Sequence, residues 1–361
     1  MYLRKSASHL MHMKKNTKYK VGIIGCGRIA SILEDDPLRQ KPCTHAGAFH
    51  LHPKTEIVSA CDINKERLTS FGKRWGVKSL YKDFNKMLKN EKLDIVSVAA
   101  WTEYHRDMVI AAAEAGVRGI YCEKPIAVNI RQAKEMVDIC KKRGAKLIVG
   151  HERRWDPHYR KARELIDKGV IGEVRTIVGN ALSDSPPELP VDKYGGGPMF
   201  HDGTHLTDLL RFFVGDAEWV SGYDEREAED YIEKTALGLI RFKNGVNAVV
   251  EGGGVRKYFN FELDIQGSEG RILIGNGVKE LYLAKPSHRF SGFQELERAE
   301  FPNPEKDLNP FLGGIGDLIG CMNNGHESIS SGEDGKAALE IIMAIYESAK
   351  LGGKRVFLPL N

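Results

Sequence analysis

The sequence predicts an α/β protein in two parts: an N-terminal doubly wound parallel sheet, and a C-terminal α+β domain with a large, mostly antiparallel, open-faced sheet. Up to about residue 150, short apolar runs alternate with amphipathic stretches of helical spacing, which is typical of a parallel sheet covered on both faces. Beyond that point, strand patterns follow one another at short intervals, as in an antiparallel sheet. A chain of 361 residues also exceeds what one hydrophobic core usually supports.

The first part of the chain divides into an extension and a domain. Residues 1–18 are predicted to be a flexible N-terminal extension, and residues 19–150 form the predicted parallel-sheet domain. Strands are predicted at residues 19–25, 56–61, 93–100, 119–122 and 145–150. Helices are predicted at residues 65–75, 105–116 and 130–144. In such a sheet the ligand binds beyond the carboxyl ends of the strands.

The second part, residues 151–361, is predicted to bind the substrate and to hold subunits together. Its strands are predicted at residues 175–182, 235–242, 246–252, 259–267 and 270–276, and its helices at about 308–323 and 334–350. The turn at Lys243–Gly245 predicts a hairpin between two of these strands. The Pro-rich loop 183–190 leads into three glycines at 195–197 and is predicted to cover a site.

Composition and charge exclude several function classes. The chain is 42% hydrophobic and 28% charged, with a net charge of only +4 and no basic stripe outside its first residues, so we expect no nucleic-acid partner. No apolar run reaches the length of a membrane span, and the first residues lack the apolar stretch of a signal peptide. We therefore expect no membrane partner and a cytoplasmic location. The six cysteines are scattered without a CxxC pair, which favours buried reduced thiols.

A glycine turn follows the first predicted strand. The segment Gly25-Cys26-Gly27-Arg28-Ile29-Ala30 opens a helical pattern, and this context favours the phosphate-binding turn of a Rossmann domain. Gly25 allows the tight turn, Gly27 lets the backbone approach a pyrophosphate, and the small Ala30 lets helix and strand pack closely. Gly25, Gly27, Arg28 and Ile29 are therefore predicted to bind a dinucleotide.

Asp62 ends the second predicted strand. A carboxylate there accepts hydrogen bonds from both ribose hydroxyls of NAD and repels the 2′-phosphate of NADP. Asp62 lies 35 residues after Gly27, well beyond the usual spacing of about 20, and the polar insertion at residues 33–45 accounts for the excess. The alternative is that Asp62 caps the helix that starts at Lys65.

The chain resembles the Gfo/Idh/MocA oxidoreductases, a family that includes glucose–fructose oxidoreductase and inositol dehydrogenase. The resemblance covers nearly the whole chain and rests on VGIIGCGRIA at 21–30, VSVAAWTEYH at 96–105, CEKP at 122–125, the GGG…GTH…D segment at 195–208 and ALEIIMAIYESAKLGGKRV at 338–356. It implies NAD as the cofactor. It also implies a homodimer or homotetramer, because relatives bury the uncovered sheet face against another subunit, and we expect strands 246–252 and 270–276 to carry that contact.

The CEKP motif is the most specific part of the resemblance. It implies that Lys124 lies beside the nicotinamide and contacts the oxygen on the reacting carbon, and that a cis peptide precedes Pro125. Lys124 also follows the carboxyl end of a predicted strand, where cofactor and substrate meet. The remaining residues assigned to the cofactor follow neighbouring strands: Ala100, Trp101, Thr102, His105 and Glu123.

The family pattern GGG…DxGxH implies a catalytic histidine at His205, four residues after an aspartate. Here His201 occupies the aspartate position and Asp202 follows it. His205 is the expected proton acceptor, while His201 lies on the same face if the segment is helical and binds substrate or tunes His205. Whether Asp202 compensates stays open. His201, Asp202 and His205 are alternatively metal ligands, although we expect no metal.

Further substrate contacts are expected near the start of the second domain and beside the glycine run. Arg154 and Trp155 lie in HERRWDP, similar to the family's NxRxxP stretch, and Tyr194 adjoins the glycines. For Arg154 a structural salt bridge is an equal alternative. The implied reaction is hydride transfer between nicotinamide and a secondary alcohol of a sugar, sugar derivative or cyclitol. The rival functions are an NAD-dependent glycosidase that uses transient oxidation and a non-catalytic sensor of dinucleotide or sugar.

Overall fold

The structure is a computed structural model that describes residues 18–184, 189–304 and 308–360. The predicted extension at residues 1–18 falls almost wholly outside the described residues, as does half of the predicted covering loop, residues 185–188. Each of the six cysteines is a buried free thiol, as predicted. No helix within the described ranges has the length and apolar character needed to cross a membrane.

The N-terminal domain is a six-stranded parallel sheet in the order β3-β2-β1-β4-β5-β6, so the strand order reverses between β1 and β4. The strands are β1 Tyr19–Ile24, β2 Thr55–Cys61, β3 Ser79–Tyr81, β4 Ile95–Val98, β5 Gly119–Cys122 and β6 Lys146–Val149. The helices are α1 His45–Leu51, α2 Lys65–Trp75, α3 Phe84–Asn90, α4 Thr102–Glu114 and α5 Ile130–Arg143. This arrangement confirms the predicted doubly wound Rossmann domain.

The first helix differs from the prediction. Residues 28–31 after the glycine turn form only a turn, a 3-10 helix covers Ile32–Asp35, and α1 starts at His45. The amides of His45 and Ala46 donate to the carbonyls of Ile29 and Ala30, at 3.1 and 2.9 Å. The insertion therefore separates the turn at residues 28–31 from helix α1, and backbone hydrogen bonds from the start of α1 to residues 29 and 30 join the two parts.

The second domain is built on a larger sheet. Nine strands among the described residues follow the order β14-β13-β12-β11-β7-β10-β9-β8-β15, and only the β7–β10 pair is parallel. The strands are β7 Val174–Leu182, β8 Ala217–Glu225, β9 Thr235–Phe242, β10 Asn247–Gly253, β11 Asn260–Gly267, β12 Gly270–Gly275, β13 Val278–Pro286, β14 Gln294–Ala299 and β15 Val356–Phe357. The predicted hairpin is β9–β10.

The helices of the second part are more numerous than predicted. They are α6 Pro157–Asp167, α7 Val191–Tyr194, α8 Pro198–His201, α9 Thr204–Val214, α10 Pro310–Asn324 and α11 Gly332–Lys350, with a 3-10 helix at Glu152–Arg154. Helix α11 starts with a capping box between Ser331 and Asp334 and packs on α9, β8 and α5. Helix α10 packs on β5 and β6 of the first domain. The two parts therefore share a core, and the boundary at residue 150 stays an interpretation.

The large sheet has one covered and one open face. Along β9, Ala236, Gly238, Ile240 and Phe242 point into the core, while the alternating Leu237 and Leu239 are exposed. The predicted open face is therefore present. In β12, Ile272 and Ile274 point into the core while the half-buried Leu273 points to the opposite face, so the expectation that residues 270–276 contribute to the apolar surface stays a prediction.

Candidate active site

The glycine turn is shaped to receive a ligand close to its backbone. Gly25 has φ +90°, and a Cβ on it would lie 2.4 Å from the Ala99 carbonyl oxygen, so only glycine fits there. A Cβ on Gly27 would meet no protein atom within 4 Å. The space in front of Gly27 is therefore open, which fits the close approach of a pyrophosphate. Arg28 is exposed and Ile29 half-buried at the edge of this turn.

Asp62 fixes the glycine turn to the end of β2. Its Oδ2 accepts a hydrogen bond from the Cys26 amide and its Oδ1 accepts one from the Asn64 amide, both at 2.7 Å. The N-cap of α2 is Asn64, whose side chain accepts from the Arg67 amide. The alternative in which Asp62 itself caps this helix is therefore wrong. Each carboxylate oxygen keeps a further lone pair for a ribose hydroxyl.

His105 joins two loops at the carboxyl ends of β4 and β5. It is fully buried, with Nε2 3.1 Å from the Ala100 carbonyl oxygen and Nδ1 3.0 Å from that of Pro125. Burial lowers its pKa, although the carbonyl contacts oppose this. His105 therefore positions these loops, and the prediction that it contacts the cofactor is corrected. Thr102 is also buried, whereas Trp101 is 65% exposed and accessible to a ligand.

The carboxylate of Glu123 is paired with a histidine that the sequence analysis missed. His45, the first residue of α1, lies with Nε2 2.8 Å from Glu123 Oε1 and with Nδ1 2.7 Å from Ser97 Oγ. Burial raises the pKa of Glu123, but the hydrogen bond from His45 and nearby positive charges, Lys124 included, outweigh burial and lower it overall. Nothing in the local sequence links two residues 78 positions apart.

Lys124 connects the two domains. A cis peptide precedes Pro125, as the resemblance implied, and Lys124 Nζ donates a hydrogen bond of 2.8 Å to the backbone carbonyl of His201. The lysine therefore reaches from the carboxyl end of β5 to the segment that carries both candidate histidines.

The two histidines do not share one continuous helix. His201 is the last residue of α8, and His205 is the second residue of α9, with a break at Asp202 and Gly203. The expectation of a common helical face is corrected accordingly. Burial and the charge of Lys124 lower the pKa of His201 to about 4, so its ring is neutral at pH 7.

His205 lies in a buried cluster with the residues that start the second domain. Its Nε2 is 3.7 Å from Glu152 Oε2, and its ring meets that of His151 edge to face at 5.8 Å. Burial lowers its pKa well below the ordinary value, and the charges of Arg153, Lys124 and His151 add to this. The imidazole that disfavours its protonation is therefore His151 rather than His201. The sequence did not predict the presence of Glu152 and Arg153 beside His205.

Arg154 and Trp155 have structural roles. Arg154 is 4% exposed and donates from Nε to Asp208 at 2.8 Å, while its Nη1 is paired with Asp334 at 3.3 Å. Of its two predicted roles, the salt bridge is the one formed. Trp155 is 3% exposed in the core against Tyr121, so its assignment to the substrate is corrected. Tyr194 ends α7 and is half-buried.

Metal-ligand geometry occurs elsewhere in the chain. Within the described ranges, groups whose ligand atoms lie within 4.8 Å of one another are Asp317, Cys321 and His326, and His288, Glu295 and Glu297. The alternative that His201, Asp202 and His205 bind a metal together therefore has no support from their geometry.

An open cleft adjoins the histidine cluster. It has a volume of about 390 Å³, and Glu152 and Arg153 form part of its wall. Lys279 of β13, Asn276 of the turn before that strand, and Gln40 of the insertion also line it. Polar side chains thus form much of this lining, and Lys124, His201 and His205 are not among the residues that line the cleft.

Known proteins match the chain over almost its whole length. A family model for the oxidoreductase family Gfo/Idh/MocA, NAD-binding Rossmann fold, matches residues 19–151, and the model for the C-terminal domain of the same family matches 159–273. The myo-inositol 2-dehydrogenase of Thermotoga maritima is 26% identical, covering 89% of this chain and 93% of that protein. The D-apiose dehydrogenase of Paraburkholderia graminis is 28% identical, covering 93% and 88%.

The solved structures agree on the fold. The WlbA dehydrogenase from Bordetella pertussis, in complex with NADH and UDP-GlcNAcA, superimposes with a TM-score of 0.76 at 24% identity and covers 96% of this chain and 99% of that one. The fold class predicted from the sequence is confirmed by this agreement.

Proposed function

Because the chain belongs to the Gfo/Idh/MocA oxidoreductase family, we propose that it is an NAD-dependent enzyme that transfers a hydride between nicotinamide and a secondary alcohol of a sugar, sugar derivative or cyclitol. The observation that carries the proposal is the hydrogen bond from Lys124 Nζ to the His201 carbonyl. It brings the CEKP lysine, at the carboxyl end of a parallel strand, to the segment that carries His205. Relatives named as myo-inositol and D-apiose dehydrogenases support the substrate class.

The residues present fit NAD. Gly25 and Gly27 leave backbone and open space for the pyrophosphate, and Asp62 offers lone pairs to the ribose hydroxyls. Arg28, Ile29, Ala100, Trp101 and Thr102 are proposed to line the rest of the cofactor. When bound, NAD supplies the acceptor for the hydride and its electron pair.

Side chains of the protein are proposed to accept the hydroxyl proton of the substrate and to stabilise the negative charge on its oxygen. His205 is proposed to accept the hydroxyl proton, because its low pKa keeps its ring neutral at pH 7 and therefore able to accept one. Lys124 is proposed to donate a hydrogen bond to the oxygen as negative charge develops there. His201, Asp202 and Tyr194 are proposed to bind the remaining hydroxyl groups.

We further propose a homodimer or homotetramer joined through the open face of the large sheet. Leu237 and Leu239 of β9, Val249 of β10 and Tyr223 of β8 are between 39% and 57% exposed, and Leu239 pairs directly with Val249 across the strands. Neighbouring exposed apolar side chains of this kind mark a surface that is buried on association. The cytoplasmic location stays a prediction.

The proposed function is tested by screening sugars, inositols and nucleotide sugars for NADH formation. We expect at least one class to be oxidised by the wild type, with Lys124→Met losing turnover while it still binds NAD. Bound NAD that is retained through purification, together with glycoside cleavage and no net NADH, would identify a glycosidase instead. NAD binding without any turnover would favour a sensor.

A further inference from the structure

The family pattern places a carboxylate four residues before the catalytic histidine, and this chain has His201 there. The structure brings a carboxylate to His205 from another direction. Glu152, in the 3-10 helix Glu152–Arg154, lies with Oε2 3.7 Å from His205 Nε2. We propose that Glu152 is the positioning residue of His205, orienting the imidazole and stabilising the positive charge that it acquires when it takes the substrate proton. This inference rests on the proposed function.

Glu152 is itself held in place. Its Oε1 accepts a hydrogen bond of 2.9 Å from Arg153 Nη1, and the Arg153 guanidinium lies over the ring of Phe261 at 4.0 Å. The same Phe261 ring meets His205 edge to face at 6.3 Å. One carboxylate oxygen is thus anchored through Arg153 and the other is left facing His205. The 3.7 Å contact is longer than a hydrogen bond, as catalytic contacts often are before substrate binds.

The charges around His205 show why it needs a carboxylate. Lys124 lies on the loop after β5, while His151 and Arg153 flank Glu152, and all three disfavour a second positive charge. The carboxylate of Asp208 in α9 pairs with other residues: its Oδ1 lies 3.4 Å from His151 Nδ1 and its Oδ2 lies 2.8 Å from Arg154 Nε. Among the described residues, Glu152 is therefore the carboxylate within 4 Å of His205. His201 adds no negative charge.

The two ring nitrogens of His205 then have separate tasks. With Nε2 facing Glu152, Nδ1 is left for the substrate, and Nδ1 is buried with no hydrogen-bond partner within the described part of the chain. A hydrogen on Nε2 directed at Glu152 leaves the Nδ1 lone pair to accept the hydroxyl proton. As that proton moves to Nδ1, the O–H electron pair would form the second C–O bond, and NAD, when bound, would supply the acceptor for the hydride that leaves the carbon. The imidazolium formed faces the carboxyl group of Glu152, whose pKa is raised by burial against the opposing charges of Arg153 and Lys124.

The test measures the protonation midpoint of His205 by NMR of the labelled imidazole in the NAD-bound protein. Glu152→Gln keeps the acceptor for Arg153 but removes the charge, so we expect the midpoint to fall by about one pH unit. We expect kcat to fall about 10- to 100-fold, with the acidic limb of the kcat/KM profile moving to lower pH. Glu152→Asp keeps the negative charge, so the His205 midpoint in this variant should stay close to the wild-type value.

Glu173→Gln is the matched control, because Glu173 is an exposed acid paired with Arg175 just before β7. It should leave both the midpoint and kcat unchanged. A His205 midpoint that is the same in Glu152→Gln as in the wild type would overturn the inference, and so would a loss of kcat with an unmoved acidic limb. The NMR measurement needs no turnover. A shifted midpoint therefore supports the pairing even where no alcohol is oxidised, which would contradict the proposed function alone.

Discussion

Replacing Asp62 by asparagine tests both the cofactor preference and the construction of the glycine turn. The wild-type carboxylate accepts hydrogen bonds from the amides of Cys26 and Asn64, one on each oxygen. Asparagine offers one acceptor oxygen and one NH₂ group, so one of these backbone amides loses its partner. A hydrogen bond to a charged group contributes about 1.5–3 kcal/mol, which corresponds to roughly a 10- to 150-fold loss in NADH affinity if the turn must be re-formed on binding.

The same carboxylate sets the preference between the two cofactors. A 2′-phosphate near Asp62 brings up to two negative charges against one, and each pair costs about 1 kcal/mol at 4 Å in water. We therefore expect the wild type to bind NADH about 10- to 100-fold more tightly than NADPH, with the ratio shrinking as salt is added. In Asp62→Asn the repulsion is gone, so the ratio should approach one.

The assay is a calorimetric titration of wild type and Asp62→Asn with NADH and NADPH at two salt concentrations. Lys65 and Arg67, exposed at the start of α2, are the groups that could attract a 2′-phosphate instead. Wild-type protein that binds NADPH as tightly as NADH would refute the role given to Asp62. A ratio that does not change in Asp62→Asn would refute it as well.

Three further predictions concern stability and assembly. Arg154→Met should lower the free energy of unfolding in urea titrations by about 3–5 kcal/mol, because it leaves the buried Asp208 without its arginine partner. The control Arg175→Met removes one member of an exposed ion pair and should lower the free energy of unfolding by less than about 1 kcal/mol. His201 has a pKa of about 4 in the folded protein against 6.5 for the free side chain, so the unfolded chain binds more protons between these pH values. The free energy of unfolding should therefore fall by up to about 3 kcal/mol as the pH is lowered from 6.5 to 4. His201→Asn should flatten that part of the stability profile, and an unchanged slope in this variant would contradict the role given to His201. Light scattering at micromolar concentration should show monomers for Leu239→Lys, but not for the control Leu38→Lys, which lies on the insertion. A monomeric wild-type protein would contradict the proposed homo-oligomer.

The elements that sequence reasoning identified correctly are those with strong local signals. The apolar run that ends at Gly25 and the one that precedes the CEKP motif form β1 and β5, and both are runs of buried residues that the local sequence shows directly. The missed β3 has only three residues, and β14 alternates charged side chains at the sheet edge, so neither shows a buried strand pattern. The start of α1 at His45 was not predicted, because it depends on hydrogen bonds to residues 29 and 30 across the insertion, and no local sequence pattern indicates such bonds.

The candidate site was harder to predict because its groups meet only in three dimensions. Motifs predicted Lys124 and His205 as site residues, but the groups that they contact in the structure come from distant segments. His45 reaches Glu123 from α1, and Glu152 reaches His205 from a 3-10 helix at the start of the second domain. Arg154 shows the converse, because a motif position that suggested substrate binding is filled by a buried ion pair.

The most direct test of the central claim is the turnover of His205→Ala with whichever alcohol the wild type oxidises, followed as NADH formation. We predict a loss in kcat of about 10²–10⁴-fold, because the proton acceptor is removed, and an unchanged affinity for NAD. Near-normal turnover in His205→Ala would show that His205 is not the proton acceptor, because Lys124 or another residue would then have to accept the proton.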